Sequence, residues 1–431
     1  MAEVKAFKAL RYTDTKNMKN LVTPPYDIIS PDAQKNYYDR DKNNVIRLEY
    51  GIINESDSEN DNRYTRAKEF LDKSLANGVL KTDPENAYYI YEEIFEALGR
   101  RMSLKGIFAA VKLEEFDKKI ILPHEETLSK AKKDRLLLME HTDCNFSPIY
   151  LMYSDEKREI PEVIDKHSQC EPAVSFVNDD GIEQRLWLIT DETDIKIIEN
   201  AFSKKQLFIA DGHHRYETAL NFRNEKRAEN PNFTGDEGYN YVMSFLIDME
   251  NTGLVVLPTH RMIKGIADFS PKKITDALKE NFTVEKLPCE KSEDIENGIK
   301  TENEKIFGFY TGGDFYYRIT LKSEENAEKE MKGASKYYRA LDVAVLHSMI
   351  LEKLFGIDKE NMANQKNLTY TRSADEAVKS VKNGEYQCAF IINATKISQI
   401  KDISLNNEKM PQKSTYFYPK LVTGIVMNKL K

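Results

Sequence analysis

The stretch "FIADGHHRYETAL", residues 208–220, ends an apolar run in an acid, a glycine, two adjacent histidines and an arginine, and a helical pattern follows. That order suits an anion. A helix start offers backbone N–H groups without intrahelical partners and a partial positive charge. Gly212 lets the backbone turn or approach a ligand closely. Arg215 can grip a phosphate or carboxylate through two parallel donors, and His213 or His214 can donate beside it. Asp211 has three open roles: helix cap, metal ligand or proton acceptor. Two of the seven histidines share this corner with an acid and an arginine, which favours chemistry over isolated structural hydrogen bonds.

A second constellation is "ILPHEETLSKAKKDRL". His124, Glu125 and Glu126 follow a strand pattern at a proline, and Asp134 and Arg135 lie in the next helical pattern. Adjacent carboxylates beside a histidine can act as a general base or hold an oxygen-preferring divalent metal; a solvated acidic turn is the alternative. "LPTHRMI" puts His260 and Arg261 at a strand end, which alone reads as structural. "PQKSTYFYPK" sets Lys413, Ser414, Thr415 and Lys420 among aromatics, either to cover a phosphate or base or to plug the core. "TPPYD" ends in Asp27, a turn residue or a site carboxylate. The sequence contains no Walker-A pattern, G-x-G-x-x-G, G-x-S-x-G or H-E-x-x-H, so the common phosphate-loop, dinucleotide, hydrolase and zincin readings have no support. "YTGGDF" reads as a hairpin turn.

The elements that must position these residues alternate irregularly. "SPDAQKNYYDR" starts a helix with Ser30 as cap and Pro31 in the first turn, and "YTRAKEFLDKSLANGVL" is helical up to a glycine stop. "AYYIYEEIF", "MSLKGIFAAVKLEEF", "KKIILPHEETL", "SPIYLMYS", "AVSFVND" and "QRLWLITD" read as strands. "SKAKKDRLLLMEH" and "TDIKIIENAF" read as helices. "QLFIA" is a buried strand ending at Asp211, and "YETALNFRNEKRAEN" is an amphipathic helix with Ala219, Leu220 and Phe222 near one face. "YVMSFLIDM" and "LVVLPTHRMI" are strands. A later α+β segment holds the hairpin "KIFGFYTGGDFYYRITL", helices at "ALDVAVLHSMILEKLF" and "SADEAVKSVKNG", and a strand at "YQCAFIINA". Without a strict β-α-β period the fold class is α+β. The expected parts are an N-terminal α+β part over 1–86, a catalytic core over 87–266 and a C-terminal α+β domain over 267–431.

The 431 residues carry a formal net charge of −8, with a pI near 5.6. That balance disfavours a general nucleic-acid binder, whose affinity rests on basic surface. The four cysteines are scattered, which fits neither a disulfide framework nor a zinc ribbon. With no apolar leader pattern and no window of about 18 apolar residues, the chain reads as cytoplasmic, without nucleic-acid or membrane partners.

The chain resembles the bacterial and archaeal family catalogued as domain of unknown function 1015. The stretches that carry the resemblance are "ALRY", "PPYDIIS", "NVIRLEYG", "LPHEETLSKAKKDRL", "NFSPIYLMY", "IADGHHRYETAL", "YNYVMSFLIDM", "LPTHRMI" and "MPQKSTYFYPKLVTGIV", running in order from residue 9 to residue 426. The Gly212-x-x-Arg215 corner also resembles the ParB/sulfiredoxin-like fold, on which free L-serine kinases occur. The resemblance implies a magnesium-dependent kinase that moves a phosphoryl group from ATP or ADP to L-serine, and it leaves a homodimer open. It gives catalysis to Glu125, Asp211 and His213, with Glu126 as the competing base or metal carboxylate. It gives phosphate binding to Gly212, His214 and Arg215. Phosphoryl transfer to an amino acid also needs nucleotide and substrate contacts, for which the sequence offers Lys413, Ser414 and Thr415 on the nucleotide side and Asp27, Arg135 and Arg261 on the substrate side, with Lys413 an alternative for the amino acid's carboxylate. The spacing from Glu125 to Asp211 is long for a ParB-like core and requires an insertion over roughly residues 128–200. Two rivals are a non-catalytic ParB-type nucleotide-binding regulator and a metal-dependent hydrolase built on His124, Glu125, Asp211 and His213. The first calls for a basic DNA-reading helix that the sequence does not offer.

Overall fold

Long alternating runs make the main sheet. "YYIYEEIFEA" and "RRMSLKGIFAAVK" form Tyr88–Ala97 and Arg100–Lys112, an antiparallel pair closed by Leu98 and Gly99, which both have positive φ. Two consecutive positive-φ residues match the right-handed twist of the strands they join. In the computed structural model, which describes residues 1–127, 129–301 and 304–431 and only the backbone of 129–131 and 363, this pair is the centre of a nine-stranded sheet. Leu128, the last residue of the strand pattern "KKIILPHEETL", lies outside the described residues.

In chain order the nine strands are β1 (Val4–Lys5), β2 (Tyr88–Ala97), β3 (Arg100–Lys112), β4 (Ile121–Leu122), β5 (Ile149–Tyr153), β6 (Val174–Val177), β7 (Glu183–Ile189), β8 (Leu207–Asp211) and β9 (Tyr241–Asp248). Their spatial order is β4-β8-β5-β9-β3-β2-β7-β6, with β1 also on β3. The β4–β8 and β5–β9 pairs are parallel and the others antiparallel, so the sheet is mixed. The chain is α+β, as expected.

Side chains alternate across a strand, and both faces of this sheet are packed. One face gathers Ile107, Leu151, Ile209 and Trp187 against Phe202, Tyr216 and Phe222 from the helices α1 (Glu192–Phe202) and α2 (His213–Glu229). The other carries Tyr91, Phe108, Tyr150 and Phe245, with ring centres 5.3–5.8 Å apart along Tyr91–Phe108, Tyr91–Phe245 and Tyr150–Phe245. Each fully buried large apolar side chain contributes about 1.5–3 kcal/mol relative to exposure. These strands belong to a compact unit made of Met1–Pro123, Thr127–Val255 and Pro419–Lys431.

A second unit comprises His124–Glu126 and Val256–Tyr418. Its six-stranded sheet is antiparallel throughout and places His260–Ile263 between Leu368–Thr371 and Cys388–Ile391. The expected hairpin forms from Ile306–Tyr310 and Phe315–Leu321. The strand pattern "LVVLPTHRMI" is broken at its proline, and only His260–Ile263 joins this sheet, because proline lacks a ladder donor. The helix expected over "ALDVAVLHSMILEKLF" contains a π turn at Leu346–Leu351 between Asp342–Val345 and Glu352–Phe355. Among the described residues, no helix is long and apolar enough to cross a membrane.

Candidate phosphate-binding site

Strand β8 does not run straight into the helix. Its register against β5 shifts between Ile209 and Asp211, and such a bulge re-aims the residue at a strand end. Gly212 follows at φ +91°, in the N-cap position of α2 and without a side chain to cap it. A Cβ there would lie 3.2 Å from three atoms of the Arg215 guanidinium. Glycine suits the left-handed backbone here, and a side chain would also crowd the arginine that folds over it. Since Gly212 holds the N-cap position, Asp211 remains in the strand and does not cap the helix.

Asp211 Oδ2 lies 3.4 Å from Arg215 Nη2 and 3.3 Å from Lys420 Nζ. Arg215 also donates to the Pro148 carbonyl through Nη1. Two cations and one carboxylate thus surround the start of a long helix, whose own partial charge is positive. His213 is buried and His214 half-buried at the same turn. The result is a corner with net positive character.

Beside it, Glu49, Arg135, Asn145, Ser147, Arg215 and Thr218 line a cavity of about 40 Å³. Arg135 comes from the helix Ser129–Thr142 and is buried. It donates to the Glu49 carbonyl at 2.8 Å and to Asp134 Oδ2 at 2.6 Å, and lies 3.3 Å from Glu49 Oε1. Its guanidinium sits 4.0 Å from the ring centre of Tyr26, a cation–π distance. Burial pushes the Glu49 carboxyl above the ordinary range, against the pull of Arg135, the Ser147 hydroxyl and Arg215. Burial would also raise Asp134, yet Arg135, Tyr64 and Arg63 together hold it below its usual value. Tyr26 is pushed up to about 12 by burial, and Asp27 next to it is exposed.

The first unit therefore brings together Arg135, Asp211, Gly212 and Arg215 from the sequence expectations. It adds Glu49 and Ser147, which sequence reasoning missed, and ties Lys420 to Asp211. Glu49 hides in "NVIRLEYG" among the buried Val45, Ile46 and Leu48; an acid inside so apolar a turn was the available signal.

Asp27, His213 and His214 also lie in the first unit, and the other expected residues lie in the second. Thr415 Oγ1 donates to Glu125 Oε1 at 3.3 Å and lies 3.2 Å from His124 Nε2. Ser414 is buried, and its carbonyl accepts from Thr395 at 2.8 Å. Lys413 is exposed at φ +55°. Glu126 lines a cavity with Tyr338 and His347, and Arg261 is wholly buried. Among the described residues, no group of three or more His, Cys, Asp and Glu could hold a metal ion.

The sequence family described as "Protein of unknown function (DUF1015)" matches residues 4–344. No curated protein matches the chain. Solved structures give fold likenesses at low identity. A free serine kinase in complex with AMP has a TM-score of 0.35 at 15% identity, covering 76% of this chain and 91% of that one. A conserved hypothetical protein from Pyrococcus furiosus has a TM-score of 0.34 at 16% identity, with 75% and 95% covered. C-terminally truncated SbnI from Staphylococcus aureus has a TM-score of 0.35 at 11% identity, with 74% and 86% covered.

Proposed function

The chain belongs to the family described as protein of unknown function DUF1015, and from that premise we propose that it is a small-molecule kinase that phosphorylates free L-serine. The observation that supports this reading most is the corner at Gly212, where the start of α2, Arg215 and Lys420 meet around Asp211. Phosphoryl transfer needs little covalent help from a protein: it needs phosphate oxygens held, charge compensated and the attacking hydroxyl oriented. The corner supplies the first two.

In the reaction, the serine hydroxyl oxygen bonds to the terminal phosphorus of ATP or ADP. The bond from that phosphorus to the bridging oxygen breaks, and ADP or AMP leaves. The hydroxyl proton passes to a carboxylate, for which Glu125 is our candidate and Glu126 its competitor. Gly212, His214 and Arg215 hold phosphate through backbone N–H groups, imidazole and guanidinium, with His213 at the same turn. Lys413, Ser414 and Thr415 are assigned to the nucleotide, and Asp27, Arg135 and Arg261 to the amino acid. Magnesium asks for few protein carboxylates and usually arrives on the phosphates; Asp211 is the corner's carboxylate to meet it. When bound, it would neutralise charge on the transferring group.

Phosphorus NMR of the full chain with magnesium, L-serine and either ATP or ADP tests the proposal. A new phosphomonoester signal that depends on serine and disappears in His213→Ala supports it. Absence of product with both nucleotides overturns it.

A further inference from the structure

Among the described residues Arg261 has no ion-pair partner. It is 0% exposed, and among the described residues its donors reach only neutral groups: His347 Nε2 at 3.3 Å, the Lys413 carbonyl at 3.2 Å and the Thr259 carbonyl. The ring centre of Tyr370 lies 5.4 Å away. A buried, unpaired guanidinium is costly and calls for an anion. Burial already lowers its proton affinity to about 10, and only Tyr370 opposes that shift.

The neighbours share this deficit. An arginine can only donate, so His347 Nε2 must accept, and the neutral ring carries its hydrogen on Nδ1. That Nδ1 is buried and has no partner among the described residues. The Tyr370 hydroxyl and Thr259 Oγ1 are buried without partners as well. All three groups can donate. Register places Tyr370 directly opposite Arg261, and Thr259 precedes the strand and accepts from Arg261 through its carbonyl. His260 falls on the other face, where its Nδ1 accepts from the Ile392 N–H at 3.2 Å.

His347 lies on the π turn Leu346–Leu351, an irregularity common at functional sites, and lines a cavity of about 80 Å³. Glu126, Glu352, Lys359 and Lys409 line it too. Their formal charges cancel, which leaves Arg261 as the unmatched charge.

We propose that the second unit binds a small oxyanion, a carboxylate or a phosphate group, in this cavity, with His347 Nδ1–H as direct donor and Arg261, behind the ring, as the charge that calls for it. Arg261 acts through His347, as a positioning residue that fixes the tautomer and polarises the ring. The kinase reading assigns Arg261 to the amino acid; here it acts only through His347, and the site stands on the buried charge and the cavity without that reading.

The test follows the His347 ring by NMR in the histidine-labelled full chain, its signals assigned with His347→Gln. Inorganic phosphate and acetate are titrated separately at constant ionic strength against chloride. A saturable shift of the His347 signals with phosphate alone identifies a phosphate-group ligand, and with acetate alone a carboxylate; either supports the site. Signals that stay still with both anions, or that move equally with chloride, overturn the proposal. So does a shift that vanishes in Arg215→Ala, because it would then belong to the phosphate corner.

Discussion

The Asp211 carboxylate lies 3.3 Å from Lys420 Nζ, a pair that joins the end of β8 to the C-terminal segment of the same unit. Lys420 was visible in the sequence only as a cation among aromatics. Its pairing with Asp211 brings it to the proposed phosphate site, so on that proposal Lys420→Ala should lower nucleotide affinity by about ten- to a hundredfold, the range for losing one charge-assisted contact. Lys420→Arg should recover part of it. Calorimetric titration with ADP measures both.

Gly212→Ala should be felt in stability and in binding. At φ +91° a side chain costs about 1–2 kcal/mol, and the added Cβ would press on the Arg215 guanidinium 3.2 Å away. Urea unfolding midpoints should fall accordingly. Nucleotide affinity should drop even where the variant is fully folded.

Arg135 and Glu49 should prove unequal partners. Arg135→Met leaves Glu49 buried without its main cation, a change worth about 3–5 kcal/mol. Glu49→Gln keeps the Ser147 contact and removes only charge, so it should cost much less. Unfolding of the two single variants and the double variant separates the pair term from the rest.

Glu93 predicts a pH dependence. It is fully buried; Oε1 accepts from the Tyr91 hydroxyl at 2.9 Å, while Oε2 has no partner among the described residues. Burial pushes its carboxyl from 4.5 to about 8. Between those values the unfolded chain has released its proton and the folded chain has kept it. The folded state then binds more protons, so its stability falls as pH rises across that window and levels off above about 8. The slope is on the order of 1 kcal/mol per pH unit. Glu93→Gln should remove this component, which urea unfolding at the two ends of the window would show.

Glu125→Gln and Glu126→Gln distinguish the two candidate bases. The variant that keeps nucleotide affinity but loses rate identifies the residue that takes the hydroxyl proton. Single-turnover measurements with serine read this directly. If neither variant loses rate, Asp27 becomes the next candidate.

The corner itself was legible in the sequence because its signals are local. A strand pattern, an acid, a glycine and a helix start determine one another within a few residues, and the structure returns Leu207–Asp211, Gly212 and His213–Glu229 in that order. Ser30 as a cap and the turn of "YTGGDF" are local in the same way. Family membership was legible too, from ordered stretches along the whole chain. What surrounds the corner was not. Glu49, Ser147 and Lys420 reach it through pairings distant in sequence, which no periodicity encodes. The π turn at His347 and the burial of Arg261 likewise depend on packing around them. Local propensity sets which elements form, whereas the burial of a charge and the partner it finds are decided only when distant strands and helices close on one another.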